Sequence, residues 1–184
     1  MSANDLTRVL AIDPTTNGFG FVVMEGPESL IDWGVRIAGR DDKNDRCLKL
    51  VSALIDIYRP DVLVVEELRK GISRRSQRVQ ELIDSIANLA SERNVKTRRF
   101  SNFQIRRNFS ESAATNKEQI ATAIASRLPE LAPRVPQHRF AWMSEHYNMA
   151  VFDAVSLALT YFYFKDRKQN DGLSALGINS SNHA

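Results

Sequence analysis

The sequence predicts an α/β protein with a five-stranded mixed sheet, in which three antiparallel strands precede the parallel ones and helices cover both faces. Two observations support this prediction. Three β-type segments come first, separated only by short turns, which is typical of an antiparallel meander. Short apolar runs then alternate with segments of helical periodicity, which is typical of parallel strands joined by crossover helices. In such a sheet we expect the first strand to lie centrally, with the fourth strand parallel beside it.

The first two strands are predicted to form a hairpin. The apolar run from Val9 to Ile12 ends on a carboxylate, Asp13, and is followed by Pro14. Proline cannot donate a ladder hydrogen bond, so the strand should stop there. Asn17-Gly18 is a strong hairpin signal, and a second apolar run follows at once. We therefore expect a carboxylate exposed at the turn end of the first strand, where its simplest role is that of a turn former.

The middle of the chain alternates between strand and helix. Residues 29–37 suggest a third strand, and a charged turn leads to a helix that begins at Arg46 and ends before Pro60. Residues 61–66 form a short strand with an all-apolar centre, of the kind buried on both faces. A helix follows whose apolar residues fit a protein core or a subunit interface equally well: Val79, Leu82, Ile83 and Ile86.

The last third is predicted from weaker signals. Residues 94–100 are expected to form the fifth strand, whereas residues 101–114 are polar and mixed. Thr115-Asn-Lys-Glu118 resembles a capping box, which would open a helix ending near Leu128. Three prolines then mark a loop, and an apolar helix is predicted from 147 to 164. Residues 1–165 are thus expected to form a single domain, with a weakly ordered tail at 166–184.

Composition narrows the class of protein. A chain of 184 residues can bury a core of ordinary size. No apolar stretch approaches the roughly 18 residues that a membrane span needs, and we expect no signal peptide. The single Cys47 rules out an internal disulfide and is typical of a reducing, cytoplasmic setting. With one cysteine and three histidines, a bound metal should be held by oxygen ligands and not by a Cys/His zinc site.

Basic residues are clustered in two segments without acids. Five lie within residues 69–78: Arg69, Lys70, Arg74, Arg75 and Arg78. Six lie within residues 93–107, interleaved with phenylalanines, among them Arg106 and Arg107. The two clusters are consistent with a surface that binds a polyanion. An ordinary solvent-exposed surface would show the same basic residues.

Three acids stand out because each accompanies an apolar run. Asp13 and Glu66 both end short buried strands, so parallel neighbours would place them at the same sheet edge, where open α/β sheets form their sites. Asp153 interrupts an otherwise apolar helix; it is either a satisfied helix acid or part of the same site. Three gathered carboxylates would repel one another unless a hard cation such as Mg²⁺ or Mn²⁺ lay between them. Two such ions about 4 Å apart can clamp the attacking and leaving oxygens in phosphodiester hydrolysis.

Three segments resemble the signature blocks of RuvC-type Holliday junction resolvases: Asp13-Pro-Thr-Thr-Asn-Gly-Phe-Gly, Pro60-Asp-Val-Leu-Val-Val-Glu66-Glu, and Asp153-Ala-Val-Ser-Leu-Ala. A fourth similar block comprises residues 109–113 and 116–120, and the resemblance covers roughly residues 8–164. It implies a ribonuclease H-like fold and a homodimer that cuts branched DNA with Mg²⁺, with Mn²⁺ as an alternative and two ions per site. It also maps Asp13, Glu66 and Asp153 onto metal ligands and Lys117 onto a basic residue near the scissile phosphate.

The sequence departs from the family pattern at several positions. The family usually has an acid or a histidine one helical turn before the last aspartate, where this chain has Ala150. Glu145 or His146, about two turns back on the same face, could supply the fourth ligand, and Glu67 is a further option. The family's glycine after Asp-Pro is Thr15 here. An aromatic three residues after the second acid is replaced by Arg69, which weakens the case for junction specificity more than the case for nuclease chemistry.

We therefore expect a Mg²⁺-dependent, structure-selective DNA endonuclease. The residues expected to bind the DNA backbone are Arg69, Lys70, Arg74, Arg75, Arg78, Arg106 and Arg107. Two alternatives remain open: a nuclease of the same fold acting on another branched DNA or RNA, and a nucleic-acid-binding homologue that lost cleavage, as Ala150 would suggest. An actin-like ATPase is disfavoured, because the chain is too short for two such domains and lacks a second Gly-rich phosphate loop.

Overall fold

The computed structural model describes residues 6–68, 75–114, 116–136 and 148–175. Its sheet has the strand order β3-β2-β1-β4-β5. The strands are β1 (Val9–Pro14), β2 (Gly18–Gly26), β3 (Ser29–Ile37), β4 (Val62–Glu66) and β5 (Lys96–Phe100). The first three pair antiparallel, β4 runs parallel beside β1, and β5 runs parallel beside β4. The predicted mixed sheet with a central first strand is confirmed.

Helices pack on both faces of this sheet. They are α1 (Lys43–Tyr58), α2 (Gln77–Glu92), α3 (Asn102–Asn108), α4 (Lys117–Arg127) and α5 (Met149–Ala175), with short 3₁₀ helices at Ser110–Ser112 and Pro129–Arg134. The apolar residues of α1 and α2 form one core with the sheet, and those of α3, α4 and α5 form another. The apolar stripe of α2 is therefore used inside this chain. None of these helices, within the described ranges, is long and apolar enough to cross a lipid bilayer.

Side-chain alternation along the central strands decides which face the acids share. Val9 and Ala11 of β1 lie in the core with α5, as do Val62 and Val64 of β4. Their neighbours along each strand lie in the core with α1 and α2. Successive side chains point to opposite faces, so the next residues of the α5-facing series are Asp13 in β1 and Glu66 in β4. Both acids thus end their strands on the face that α5 covers.

Helix α3 was not predicted, because it has seven residues and buries only Ile105 along its length. A window this short shows no helical period. The signal that marks it is its cap: Ser101 accepts from the backbone N–H of Gln104, whose side chain bonds the Ser101 backbone N–H in return. For α4, the sequence predicted a capping box that begins at Thr115. The observed cap of α4 is Asn116, which accepts from the Gln119 N–H, while Thr115 lies outside the described residues.

Helix α5 extends to Ala175, which corrects the helix end predicted near Phe164. The extension carries its own contacts along the helix surface. Arg167 donates a hydrogen bond to the hydroxyl of Tyr163, one turn earlier, and its guanidinium lies 5.4 Å from the centre of that ring. The first part of the segment predicted as a tail is therefore helical, and residues 176–184 lie outside the described part of the chain.

Candidate active site

An open cleft of about 1370 Å³ lies at the edge of the sheet where β1 and β4 end. It is lined by the three acids singled out in the sequence and by polar, basic and aromatic side chains from the loops and helices around them. Those that matter below are Asp13, Glu66, Arg75, Asn102, Phe103, Arg106, Lys117, Ala150 and Asp153. The expected site edge is therefore a real concavity in the structure.

Asp13 and Glu66 lie side by side at the base of this cleft. The parallel register pairs Val9 with Val62 and Ala11 with Val64, and continuing it by two residues brings Asp13 next to Glu66. The two residues are only 3% and 8% exposed. Two buried carboxylates on neighbouring strands repel each other and lose hydration, so they require a partner.

Arg75 is that partner in the structure. Its Nη2 donates to Asp13 Oδ1 at 2.6 Å, and its Nε donates to Glu66 Oε2 at 2.6 Å. Its Nη1 donates to the backbone carbonyl of Pro14 at 2.5 Å. The other oxygen of Glu66, Oε1, accepts from Asn102 Nδ2 at 2.9 Å. One guanidinium thus bridges the ends of the two central strands.

The pKa shifts follow from this arrangement. Burial raises the pKa of Glu66, and the charge of the neighbouring Asp13 carboxylate raises it further. The positive charge of Arg75 acts in the opposite direction, but the net shift is upward. For Arg75, burial acts to lower the pKa, but the carboxylates of Asp13 and Glu66 outweigh it and the net shift is upward. Arg75 is therefore charged at any pH at which the protein is folded.

Asp153 reaches the cleft from α5. Its Oδ2 accepts from the ammonium of Lys117 at 2.7 Å, and Lys117 is the first residue of α4. Helix α5 comes close to the sheet because Gly20, which pairs with Asp13 across the hairpin, has no side chain. A Cβ at Gly20 would lie 2.1 Å from the carbonyl oxygen of Ala150. The glycine therefore allows α5 to pack directly beside the strand that carries Asp13.

The side chains suit a hard divalent cation by donor type, since carboxylate oxygens are the ligands that Mg²⁺ and Mn²⁺ prefer. Among the described residues, no group of three or more His, Cys, Asp or Glu side chains is close enough together to hold a metal ion. Asp13 and Glu66 are brought together, with Arg75 between them, and Asp153 lies in the same cleft bound to Lys117. The donor set thus fits a divalent cation chemically.

Several other predicted site residues fall outside the described part of the chain: Arg69, Lys70, Arg74, Glu145 and His146. Arg78 is described, and it holds the turn after β1 by donating to the carbonyls of Thr15 and Thr16 at 2.8 Å each. Arg106 and Arg107 are exposed on α3, and Arg106 lines the cleft.

Two members of the second basic cluster are ion-paired away from the cleft. Arg93 pairs with Asp56 on α1, and Arg99 pairs with Asp84 on α2. Arg93 precedes β5, so it lies at the opposite edge of the sheet from the two strand-end acids. Of the basic residues between 93 and 107, Arg106 on α3 is the one that lines the cleft.

Sequence reasoning missed two cleft residues, Asn102 and Phe103. Both directly follow β5, the third parallel strand, whose carboxyl end meets the same sheet edge. That position was the available signal, but neither residue is ionisable and the segment showed no period. Phe103 is 72% exposed, which is unusual for an aromatic residue beside buried carboxylates.

Solved structures with the same fold include several Holliday junction resolvases. RuvC of T. thermophilus, solved in complex with a Holliday junction substrate, matches with a TM-score of 0.65 and 20% sequence identity over 88% of this chain and 96% of that chain. The yeast mitochondrial Holliday junction resolvase Ydc2 matches with a TM-score of 0.58 and 14% identity over 90% and 81%. The fowlpox virus Holliday junction resolvase matches with a TM-score of 0.52 and 12% identity over 86% and 99%.

Comparison of sequence alone is less informative. No protein-family model matches the chain, and no curated protein sequence matches it significantly. At these identities the structural likeness establishes the fold. The chain has the ribonuclease H-like fold that is found in RuvC-type Holliday junction resolvases.

Proposed function

We propose that this protein is a divalent-metal-dependent endonuclease that cuts branched DNA, with the four-way junction as its preferred substrate. One observation carries the proposal. Asp13 and Glu66 lie side by side at the carboxyl ends of two parallel strands, in a cleft that also holds Asp153 and Lys117. The fold around them is shared with resolvases of bacterial, mitochondrial and viral origin.

Each residue of the cleft has a role in this proposal. Asp13, Glu66 and Asp153 would hold Mg²⁺ or Mn²⁺, which when bound stabilises charge on the attacking and leaving oxygens of a phosphodiester. Lys117, exposed at the start of α4, would place its ammonium against the scissile phosphate. Arg106 and Arg107 on α3 would bind the DNA backbone beside the cleft.

The protein is proposed to act as a homodimer. Resolution of a four-way junction by two symmetric nicks requires two active sites, and each chain of a dimer would supply one. Light scattering on the purified chain should therefore give about twice the 20.8 kDa of one subunit. A mass of one subunit at the concentrations used for cleavage would remove this part of the proposal.

Two rival functions are distinguished by the substrate. A nuclease of the same fold could act on flapped DNA or on RNA. This alternative is motivated by Arg69, which stands where the family often has an aromatic residue, while the exposed aromatic of the cleft is Phe103. A binding protein without cleavage is the second rival, because Ala150 replaces an acid or histidine that the family usually has. Glu145 or His146 would have to supply that ligand in the proposed nuclease.

The testing experiment compares labelled four-way, flapped and linear DNA in Mg²⁺, with Asp13→Asn as the control. Paired nicks on the four-way junction, absent from the variant, are the expected result. Cleavage mainly of flapped DNA or RNA would keep the metal site and replace the substrate. Tight junction binding without cleavage in Mg²⁺ or Mn²⁺ would favour the binding protein, and Ala150→Asp would then be the variant to examine.

A further inference from the structure

The candidate metal position already contains a cation that belongs to the chain. Asp13 and Glu66 are almost fully buried, and their facing oxygens, Oδ1 and Oε2, both accept from Arg75 at 2.6 Å. A guanidinium is planar and offers donors in a fixed fork, so it can bridge two carboxylates that a point charge would hold less specifically. The guanidinium of Arg75 thus offsets the repulsion between the two strand-end acids.

A divalent cation at Asp13 and Glu66 needs the same two oxygens. It also carries positive charge, so a guanidinium and a metal ion within a few ångströms of one another repel strongly in a partly buried cleft. The two partners are therefore alternatives at this pair of carboxylates. Arg75 is anchored by a third bond, to the carbonyl of Pro14, which adds to the free energy that a metal ion has to overcome.

We propose that Arg75 is a positioning residue that occupies the cation position between Asp13 and Glu66 in the metal-free protein, and that a divalent cation binds only by displacing it. The identity of the ion rests on the proposed function, whereas the test of this proposal does not depend on it. Arg75 keeps the two strand ends assembled before the ion arrives. It also lowers the affinity for the ion, by the free energy needed to break its bonds to the acids.

A released Arg75 remains in the cleft and is suited to bind a phosphate. Its side chain is already 25% exposed to solvent while it bridges the acids. Phosphate oxygens match the fork of the guanidinium as well as carboxylates do. The same residue would thus neutralise the acids in the free protein and contact the DNA backbone in the loaded one.

The test is the affinity of the DNA-free protein for Mn²⁺, measured by isothermal titration calorimetry. Arg75→Gln should bind Mn²⁺ at least tenfold more tightly than the unaltered chain, because the acids are released. Arg93→Gln is the matched control: it removes the same charge from an arginine that pairs with Asp56 at the opposite edge of the sheet. Its Mn²⁺ affinity should not change.

Two further variants make the result specific. Arg75→Lys should give an intermediate affinity, since one ammonium cannot bridge both carboxylates as the fork does. Combining Arg75→Gln with Glu66→Gln should remove the gain, because one of the released ligands is then lost. Thermal melting in EDTA should show Arg75→Gln less stable than the unaltered chain, with a larger rise in melting temperature on adding Mn²⁺.

The proposal is overturned if Arg75→Gln binds Mn²⁺ as the unaltered chain does, more weakly, or not at all. Should Arg75→Gln fail to fold, Arg75→Lys decides the matter by the same comparison. None of these outcomes depends on DNA cleavage. A nuclease whose metal affinity is indifferent to Arg75 would retain the proposed function and lose this inference.

Discussion

At the scale of single residues, Gly20 sets the distance between α5 and the strand that carries Asp13. Gly20→Ala would place a Cβ 2.1 Å from the carbonyl oxygen of Ala150, so the helix must shift. We expect a loss of about 1–3 kcal/mol in the free energy of unfolding, the usual cost of overpacking. We also expect reduced cleavage, because Asp153 lies one turn further along the same helix. Urea denaturation and the junction assay measure the two effects.

Gly26→Ala is the control for that prediction. It lies in the same strand, and the nearest atom to an added Cβ there is Ser29 Cβ at 3.9 Å, an ordinary contact. Its stability and activity should stay close to those of the unaltered chain. Equal behaviour of the two variants would mean that the close approach of α5 does not position the site.

Phe103 is the second residue whose effect can be tested in isolation. Its exposed ring lines the cleft next to Asn102, which holds Glu66. Stacking of an unpaired base on an aromatic side chain contributes about 1–3 kcal/mol. Phe103→Ala should therefore weaken binding to four-way or flapped DNA about tenfold or more, with little change for linear duplex, in fluorescence anisotropy titrations.

Ile57→Ala serves as the comparison, since Ile57 on α1 is similarly exposed, at 69%, and is not among the residues that line the cleft. It should bind all DNAs as the unaltered chain does. If Phe103→Ala lost affinity for linear and branched DNA alike, the ring would not be reading unpaired bases.

The acids could be found from the sequence because each has a local signature. Asp13 and Glu66 follow apolar strand segments, and Asp153 interrupts an apolar helix. Each is therefore a charged residue at a position where the sequence predicts burial. The position of Arg75 could not be found in this way. It appeared as one basic residue among five, and its bonds to Asp13 and Glu66 span 62 and 9 residues, a separation that only the folded chain closes.

At the scale of secondary-structure elements, α1 carries a natural probe of the core. Cys47 is fully buried and is the chain's only cysteine. Burial raises the pKa of its thiol, against the opposing charges of Arg78 and Lys43. A raised pKa means less thiolate at mildly alkaline pH, and burial blocks access of the reagent.

Reaction with Ellman's reagent at pH 8 should therefore be slow in the native protein and complete in denaturant. The rate should rise with urea in parallel with the loss of helical circular dichroism. Immediate reaction of the native protein would contradict the packing of α1 against α2 and the sheet.

Elements were predictable in proportion to their length and period. The strands and the helices α1 and α2 follow from apolar runs and helical spacing that extend over several turns or residues. Helix α3 was missed because one buried residue, Ile105, gives no period. The end of α5 was misplaced because residues 166–171 are exposed and carry no apolar period. Helices that project a polar surface are held by capping and side-chain pairs, which the sequence marks only weakly.

At the scale of the whole molecule, the fold places the site with few requirements on sequence. Structures with 12–20% identity to this chain superpose over most of its length. A parallel sheet of this kind requires apolar central strands and helices that connect one strand to the next. The topology then brings the residues at the carboxyl ends of neighbouring strands together. This explains why the fold and the site edge were predictable from one sequence.

The most direct test of the central claim is the cleavage of a four-way junction in Mg²⁺ by Glu66→Gln and by Glu28→Gln. Glu66 is buried beside Asp13, whereas Glu28 is exposed in the turn between β2 and β3 and is not among the residues that line the cleft. We predict that Glu66→Gln loses at least about 100-fold in cleavage rate while still binding the junction, the scale for losing one group that stabilises the transition state. Glu28→Gln should remain within a few-fold of the unaltered chain. Cleavage by Glu66→Gln at the unaltered rate would contradict the assignment of the Asp13–Glu66 pair as the catalytic centre.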